Sequence, residues 1–226
     1  MAIYLNGSKA NSVIANSLIM KRVFFNGNTV FPDLTASGSR PASAMTSNSA
    51  PSPYIAYYSS VYSSTYAAWK AFQNKIDTRG WASCSNNNGK VAWIALDLGA
   101  GIYMRDVIVK LWNRNNTNVN GANNITIYGT NSTPSNGTGS TVTTMPASAQ
   151  ALGTFTGLSG STASRAYVLD TVGNTTSNCT RSTSNVAMSQ ANGYRYIIIS
   201  STSWNQAGGT YLAIGRINIE GKIGPM

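Results

Sequence analysis

The chain has 226 residues, a formal charge of +10 and only 10% charged residues. So few Lys and Glu exclude a helical bundle, whose exposed faces need them, and the abundance of Asn, Ser, Thr, Gly, Tyr and Trp fits a β-rich protein with polar loops rather than a charged disordered tail. The length accommodates one large domain, or one domain with a small appendage, around a substantial core.

The excess of 16 Lys and Arg over 6 Asp and Glu favours approach to anionic surfaces, although added solubility explains it equally well. The cations are scattered, with Lys21-Arg22 the only adjacent pair, so no nucleic-acid-binding arm is expected. No apolar run reaches membrane-spanning length, so no membrane insertion is expected, and Met1-Ala2-Ile3-Tyr4-Leu5 lacks the basic and apolar regions of a secretory signal. Two cysteines, Cys84 and Cys179, leave a disulfide open.

Residues 1–33 carry a faint repeat. Ile3-Tyr4-Leu5-Asn6-Gly7 returns as Val23-Phe24-Phe25-Asn26-Gly27, and Val13-Ile14-Ala15-Asn16-Ser17 lies between. Asn-Gly tolerates positive φ at both central turn positions, so the segment reads as a small β-meander of short strands that needs a partner for stability. It resembles the N-terminal piece of many tailed-bacteriophage structural proteins. That resemblance implies a virion protein, present in several copies or as a homo-oligomer, that docks to other virion proteins through this segment. Residues 34–53, rich in Ser, Ala and Pro, read as a linker or an extended strand, with 42–47 able to pair with the following sheet.

From residue 54 the pattern changes, and 54–226 reads as one domain. Tyr54, Tyr57, Tyr58, Tyr62 and Tyr66 crowd a polar loop, and 65–72 predicts a helical turn or two. Alternating or continuous apolar runs predict strands at 94–98, 107–112, 125–129, 141–144, 152–155, 166–169, 194–199 and 214–221. Short, regularly spaced strands with polar connections indicate an all-β sandwich or jelly roll.

The order Ala68 to Phe72, Trp81, Trp93-Ile94-Ala95-Leu96-Asp97-Leu98-Gly99, Val107 to Arg114, Ile125 to Tyr128, Arg195 to Ile199 and Ile217 to Gly221 resembles the discoidin family, the coagulation factor V/VIII type C domains. The resemblance implies a galactose-binding-like jelly roll whose ligands sit in loops at one end. It also implies that Trp69, Trp81 and Trp93 line the sandwich interior. Departures from the family pattern bear on its calcium site. Gln73-Asn74 stands where Asp-Gly is usual, and Arg216 where a Glu completes the shell. Calcium needs carboxylate oxygens to offset its charge, so no metal and no cofactor is expected. Arg216 itself, with Asp77 as its partner, is a candidate to fill the cation's place.

With no histidine, the commonest general base is missing, as are most transition-metal sites and the Ser-His-Asp arrangement. The six acids show no glycosidase-like context, so no enzymatic activity is expected. Glycan binding fits better, because aromatic faces meet sugar C–H patches while amides and guanidinium groups read hydroxyls. Candidate readers are Tyr58, Arg79, Trp112, Arg114, Asn115, Trp204 and Asn205. Trp204, among polar residues, is expected at the surface. Trp112 is equally a core residue or a platform, and Arg79 equally a partner in a surface ion pair. The implied protein is a non-enzymatic phage tail or decoration component in the virion that adheres to host cell-surface glycan. The rival is a purely structural collar, baseplate or decoration protein whose jelly roll contacts only protein.

Overall fold

The computed structural model describes residues 36–84, 91–116, 119–138, 141–172, 176–183, 193–206 and 210–224, together with four short strands nearer the N-terminus. Those four are β1 (Tyr4–Leu5), β2 (Ser8–Lys9), β3 (Val23–Phe25) and β4 (Asn28–Val30). β1 pairs with β2 and β3 with β4, Leu5 facing Ser8 and Phe25 facing Asn28, on either side of the two Asn-Gly pairs. The 13–17 run that separates the repeats lies outside the described residues.

Two antiparallel sheets then form a jelly-roll sandwich. β5 (Ala36–Ser37), β9 (Tyr103–Trp112), β12 (Ala166–Asp170) and β16 (Arg216–Gly224) make one, in the order β12-β9-β16-β5. β6 (Ile55–Tyr58), β8 (Ala92–Asp97), β10 (Ile125–Thr130), β11 (Gln150–Thr156), β13 (Thr180–Thr183) and β14 (Tyr196–Ser201) make the other, in the order β13-β11-β10-β14-β8-β6. A small two-stranded pair, β7 (Trp81–Ala82) with β15 (Ala213–Ile214), closes one end.

The alternation read from the sequence explains the core. On β9, Met104, Val107, Val109 and Leu111 are buried, while Lys110 reaches Glu220 of β16 at 2.7 Å on the outer face. The frame shift between Met104 and Val107 is a bulge at Asp106, whose φ is 53°, and Lys222 pairs with that carboxylate at 3.0 Å. Ile217, Ile219 and Ile223 of β16 meet Ile94 and Leu96 of β8 and Ile197 and Ile199 of β14 in the interior. At one end of the sandwich, Arg195 grips Asp97 through two bonds of 2.7 Å, and the Gly99 amide donates to the same carboxylate at 2.8 Å. Asp97 is fully buried, and that carboxylate raises the affinity of the Arg195 guanidinium for its proton.

Several expectations shift. Residues 42–47 do not form the edge pairing. Ala36 and Ser37 pair with Ile223 and Lys222 instead, and Arg40 bridges Ile219. The tyrosine-rich loop yields a strand, β6, paired with β8. The predicted helix is two 3₁₀ turns, Ser64–Tyr66 and Ala68–Phe72. The 141–144 strand is replaced by an irregular strap, because its backbone groups bond to Ser59, Thr138 and Trp93 rather than to a strand ladder. Trp81 is interior, as expected, and Trp69 is partly buried against the core. Trp93 is buried on the opposite face, outside the sandwich, with Ala95 and Ile198. Alternation along β8 requires this once Ile94 and Leu96 point inward. Cys84 and Cys179 are not joined, and burial pushes the Cys179 thiol up to about 11.

Candidate functional site

Register places four connections at the end of the sandwich away from Asp97: those after β6, β9, β11 and β14. Their described parts are stitched together by backbone bonds. The Tyr62 amide donates to Ala82 O at 2.9 Å, Ser83 to Leu212 O at 2.9 Å, Gly121 to Gly160 O at 2.8 Å and Ala213 to Asn120 O at 2.9 Å. The Asn113 side chain donates to Ser159 O and Thr162 O at 3.0 and 2.8 Å, tying the β9–β10 connection to the β11–β12 one.

This stitching holds Arg114 tightly. Its carbonyl accepts from the Ser164 amide at 3.1 Å, and the neighbouring Asn115 amide reaches Asp77 O at 3.5 Å. Gly215 passes so close that a Cβ there would stand 2.9 Å from Arg114 Cα, so only glycine lets the two backbones approach. The Arg114 guanidinium lies 5.6 Å from the ring centres of both Tyr66 and Tyr211. Tyr62 completes the group, edge-on to Tyr66 at 5.7 Å and tilted against Tyr211 at 5.1 Å. Arg114 is 1% exposed and Tyr62 50% exposed, with Tyr66 and Tyr211 half-buried, so the cation backs the rings and Tyr62 reaches furthest into solvent.

A polar rim adjoins this aromatic group. Asp77 accepts from the Arg79 amide at 3.0 Å and from the Thr78 hydroxyl at 3.3 Å, and lies 3.8 Å from Lys75. Burial raises the Asp77 carboxyl, but the Arg79 amide and the Lys75 ammonium outweigh it and hold the group below its ordinary value. The Asn116 amide donates to Thr78 O at 3.2 Å. Lys70 caps Thr65 O at 2.6 Å.

The seven expected readers fare differently. Arg114 is at the site but buried behind the rings. Asn115 and Arg79 are on the exposed rim. Trp112 is half-buried on β9, where Arg216 lies over its ring at 4.5 Å, which makes it a support for that cation. Tyr58 is packed against the core, its amide donating to Asn136 Oδ1 at 3.0 Å. Asn205 is half-buried, its amide on Gly121 O at 2.9 Å. Trp204 corrects the surface expectation: it is 7% exposed and belongs to the core. Its backbone bridges Ala122, which turns the indole under the loops. Tyr62, Tyr66 and Tyr211 carry the aromatic surface instead. The first two lie in the tyrosine-rich stretch, four residues apart across a 3₁₀ turn. Tyr211 follows a Gly-Gly-Thr run in a polar loop, the same signal that drew attention to Trp204.

The calcium-like position is built from other groups. With the Asn218 amide turned to satisfy both neighbours, its oxygen accepts from Arg216 Nη2 at 3.0 Å and its nitrogen donates to Asn74 Oδ1 at 3.1 Å. Arg216 therefore reaches the Asn74 turn through Asn218, and Asp77 pairs with Lys75 rather than with Arg216. Among the described residues no three His, Cys, Asp or Glu side chains cluster as metal ligands.

No protein-family model and no curated protein sequence matches the chain. Solved structures similar to it include a carbohydrate-binding module from Clostridium perfringens in complex with GalNAc-β-1,3-galactose (12% identity, 74% of this chain and 94% of that one, TM-score 0.47). A second is the F5/8 type C domain of a Bacteroides fragilis protein (11% identity, 76% and 93%, TM-score 0.47). A third is chitosan-binding module 1 of a chitosanase/glucanase from Paenibacillus sp. IK-5 (15% identity, 83% and 98%, TM-score 0.43). The jelly-roll assignment stands on the strand order and register given above.

Proposed function

We propose that this protein is a non-catalytic glycan-binding protein whose binding surface is the Tyr62, Tyr66 and Tyr211 group. The observation that carries this reading is the group itself, an exposed Tyr62 ring against two half-buried rings that lie over a buried guanidinium at the loop end. Ring faces accept the C–H patches of a pyranose, and the Tyr hydroxyls with Asn115, Thr78 and Arg79 supply hydrogen-bonding partners for its hydroxyls. The described acids support a non-catalytic reading. Asp77, Asp97, Asp106, Asp170 and Glu220 are each engaged by a neighbouring amide or cation.

The wider setting is part of the same proposal. The Asn-Gly repeat of residues 1–33 supports a tailed-phage virion protein, with that segment docking to other virion proteins and many copies presenting the jelly roll to host-surface glycan. Multiple copies convert weak single-site binding into firm adhesion. The test is a glycan array and a host-cell binding assay with the full chain displayed multivalently, alongside Tyr62→Ala. Binding that Tyr62→Ala abolishes is expected. No binding by the multivalent wild type overturns the glycan reading and favours a purely structural role, and absence of the protein from purified particles by mass spectrometry overturns the virion setting.

A further inference from the structure

A second built feature lies on the opposite side of the molecule's large sheet. Trp93 and Ala95 of β8, Tyr128 of β10 and Ile198 of β14 form an apolar cluster on its outer face. The described parts of the β10–β11 connection, residues 131–138 and 141–149, cross this face as a strap. It is anchored where the Gly137 amide donates to Tyr58 O (3.1 Å), the Thr143 amide to Ser59 O (2.9 Å) and Trp93 Nε1 to Thr143 O (3.0 Å). A run of hydroxyls, Thr130 to Ser148 at 2.9 Å and Ser148 to Ser132 at 2.8 Å, fastens its far end.

Strap and sheet do not close on each other. They leave a pocket of about 580 Å³ with Trp93 and Tyr128 on the sheet side and Val142, Met145, Pro146 and Ala149 on the strap side. Val91, 38% exposed, stands at its mouth. The size falls within the roughly 300–1,000 Å³ of small-molecule sites.

We propose that this pocket binds a neutral, apolar small molecule, an aliphatic chain or aromatic ring system, independently of the loop-end surface. Three observations fix that chemistry. Among the described residues the lining carries no Lys, Arg, Asp or Glu, so a charged ligand would be desolvated without a counter-charge from them. Two of its polar groups are already engaged: Trp93 Nε1 by Thr143 O, and the Thr143 hydroxyl by Ser135 O at 2.9 Å. That leaves the Tyr128 and Thr144 hydroxyls to replace the many water bonds a saccharide would lose, whereas an apolar ligand displaces poorly bonded water. The anchored strap holds the walls in place beforehand, which lowers the ordering cost of binding.

The experiment titrates the full chain with N-phenyl-1-naphthylamine, a neutral probe that fluoresces in apolar surroundings. Saturable binding at one site is expected. Ala149→Phe, which fills the pocket, and Val142→Asp, which charges its wall without adding volume, are each expected to weaken it at least tenfold, and Tyr62→Ala to leave it unchanged. Thermal melts confirm that each variant is folded. The proposal is overturned if the wild type shows no saturable binding, or if every folded pocket variant binds as the wild type does. It is also overturned if Tyr62→Ala removes the signal, which would put the probe at the loop end, or if neutral monosaccharides displace it. Because the loop-end variant and the pocket variants are separate, failure here leaves the glycan reading standing, and the reverse.

Discussion

Arg114→Ala tests whether a buried guanidinium holds the tyrosine surface together. The side chain is 1% exposed and stands 5.6 Å from two ring centres. A cation–π contact contributes about 0.5–1 kcal/mol when exposed and about 2 kcal/mol when desolvated. Two such contacts, with the cation buried and the rings half-buried, amount to about 2–4 kcal/mol. For a chain of this size that lowers Tm by about 4–16 °C at about 2–4 °C per kcal/mol. Arg114→Lys keeps the charge but loses the broad guanidinium that reaches both rings, so it is expected to fall between wild type and alanine. Calorimetry gives the stability series, and glycan-binding isotherms on the folded variants give the function. Affinity should fall in the same order, because loosened rings must be ordered again on binding. If Arg114→Ala melts with the wild type and binds as it does, the guanidinium is not what fixes the rings and the site has been misassigned.

Three further outcomes follow from the same geometry. Trp204→Ala should cost about 3–5 kcal/mol as a large-to-small core substitution, read by denaturant unfolding, while the folded protein keeps its glycan affinity; selective loss of affinity would return Trp204 to the surface. Asp97→Asn leaves Arg195 without its buried partner and should cost about 3–5 kcal/mol, again without affecting binding at the far end. Asp77→Asn should lower Tm at pH 7 by more than at pH 3. The Asp77 carboxyl is held below its ordinary value in the fold, so its stabilisation is complete above the unfolded value of about 3.9 and fades as pH falls through the lower folded one. A Tm difference between wild type and variant that is the same at both pH values would show that the rim contacts do not act through the charge.

The large strands were legible because burial and alternation coincide in them. β8, β9, β14 and β16 each carry β-branched or aliphatic residues on the face that must leave water, and a one-residue slip would expose the whole set. The Asp97 and Arg195 ends of two motif segments also turn out to face each other across neighbouring strands. What the pattern hid is local. β6 reads as a tyrosine loop because only Ala56 of Ile55–Tyr58 is fully buried, the others facing partly to solvent at a sheet edge. The strap at 141–149 has the Thr and Val content of a strand, but its backbone bonds go sideways to Ser59 and Trp93, a choice that no periodicity records.

The site was legible as a place more than as a set of residues. Loop aromatics near Arg114 were expected together, and the tyrosine-rich stretch and the 112–116 connection do meet. The reason lies in the register, which brings the turns after β6, β9 and β14 to one end. Which aromatic faces water there depends on how the loops plug that end. A loop Trp and a loop Tyr carry the same sequence signal, yet one must fill the space left where the connections converge. Trp204, bridged to Ala122, is drawn under and becomes the plug. Tyr211, two residues before the β15 pairing that closes the end, is held above it against Tyr62. Arg114 shows the same rule for charge: a guanidinium can be buried at a loop end where ring faces receive it, and there it organises the surface from behind.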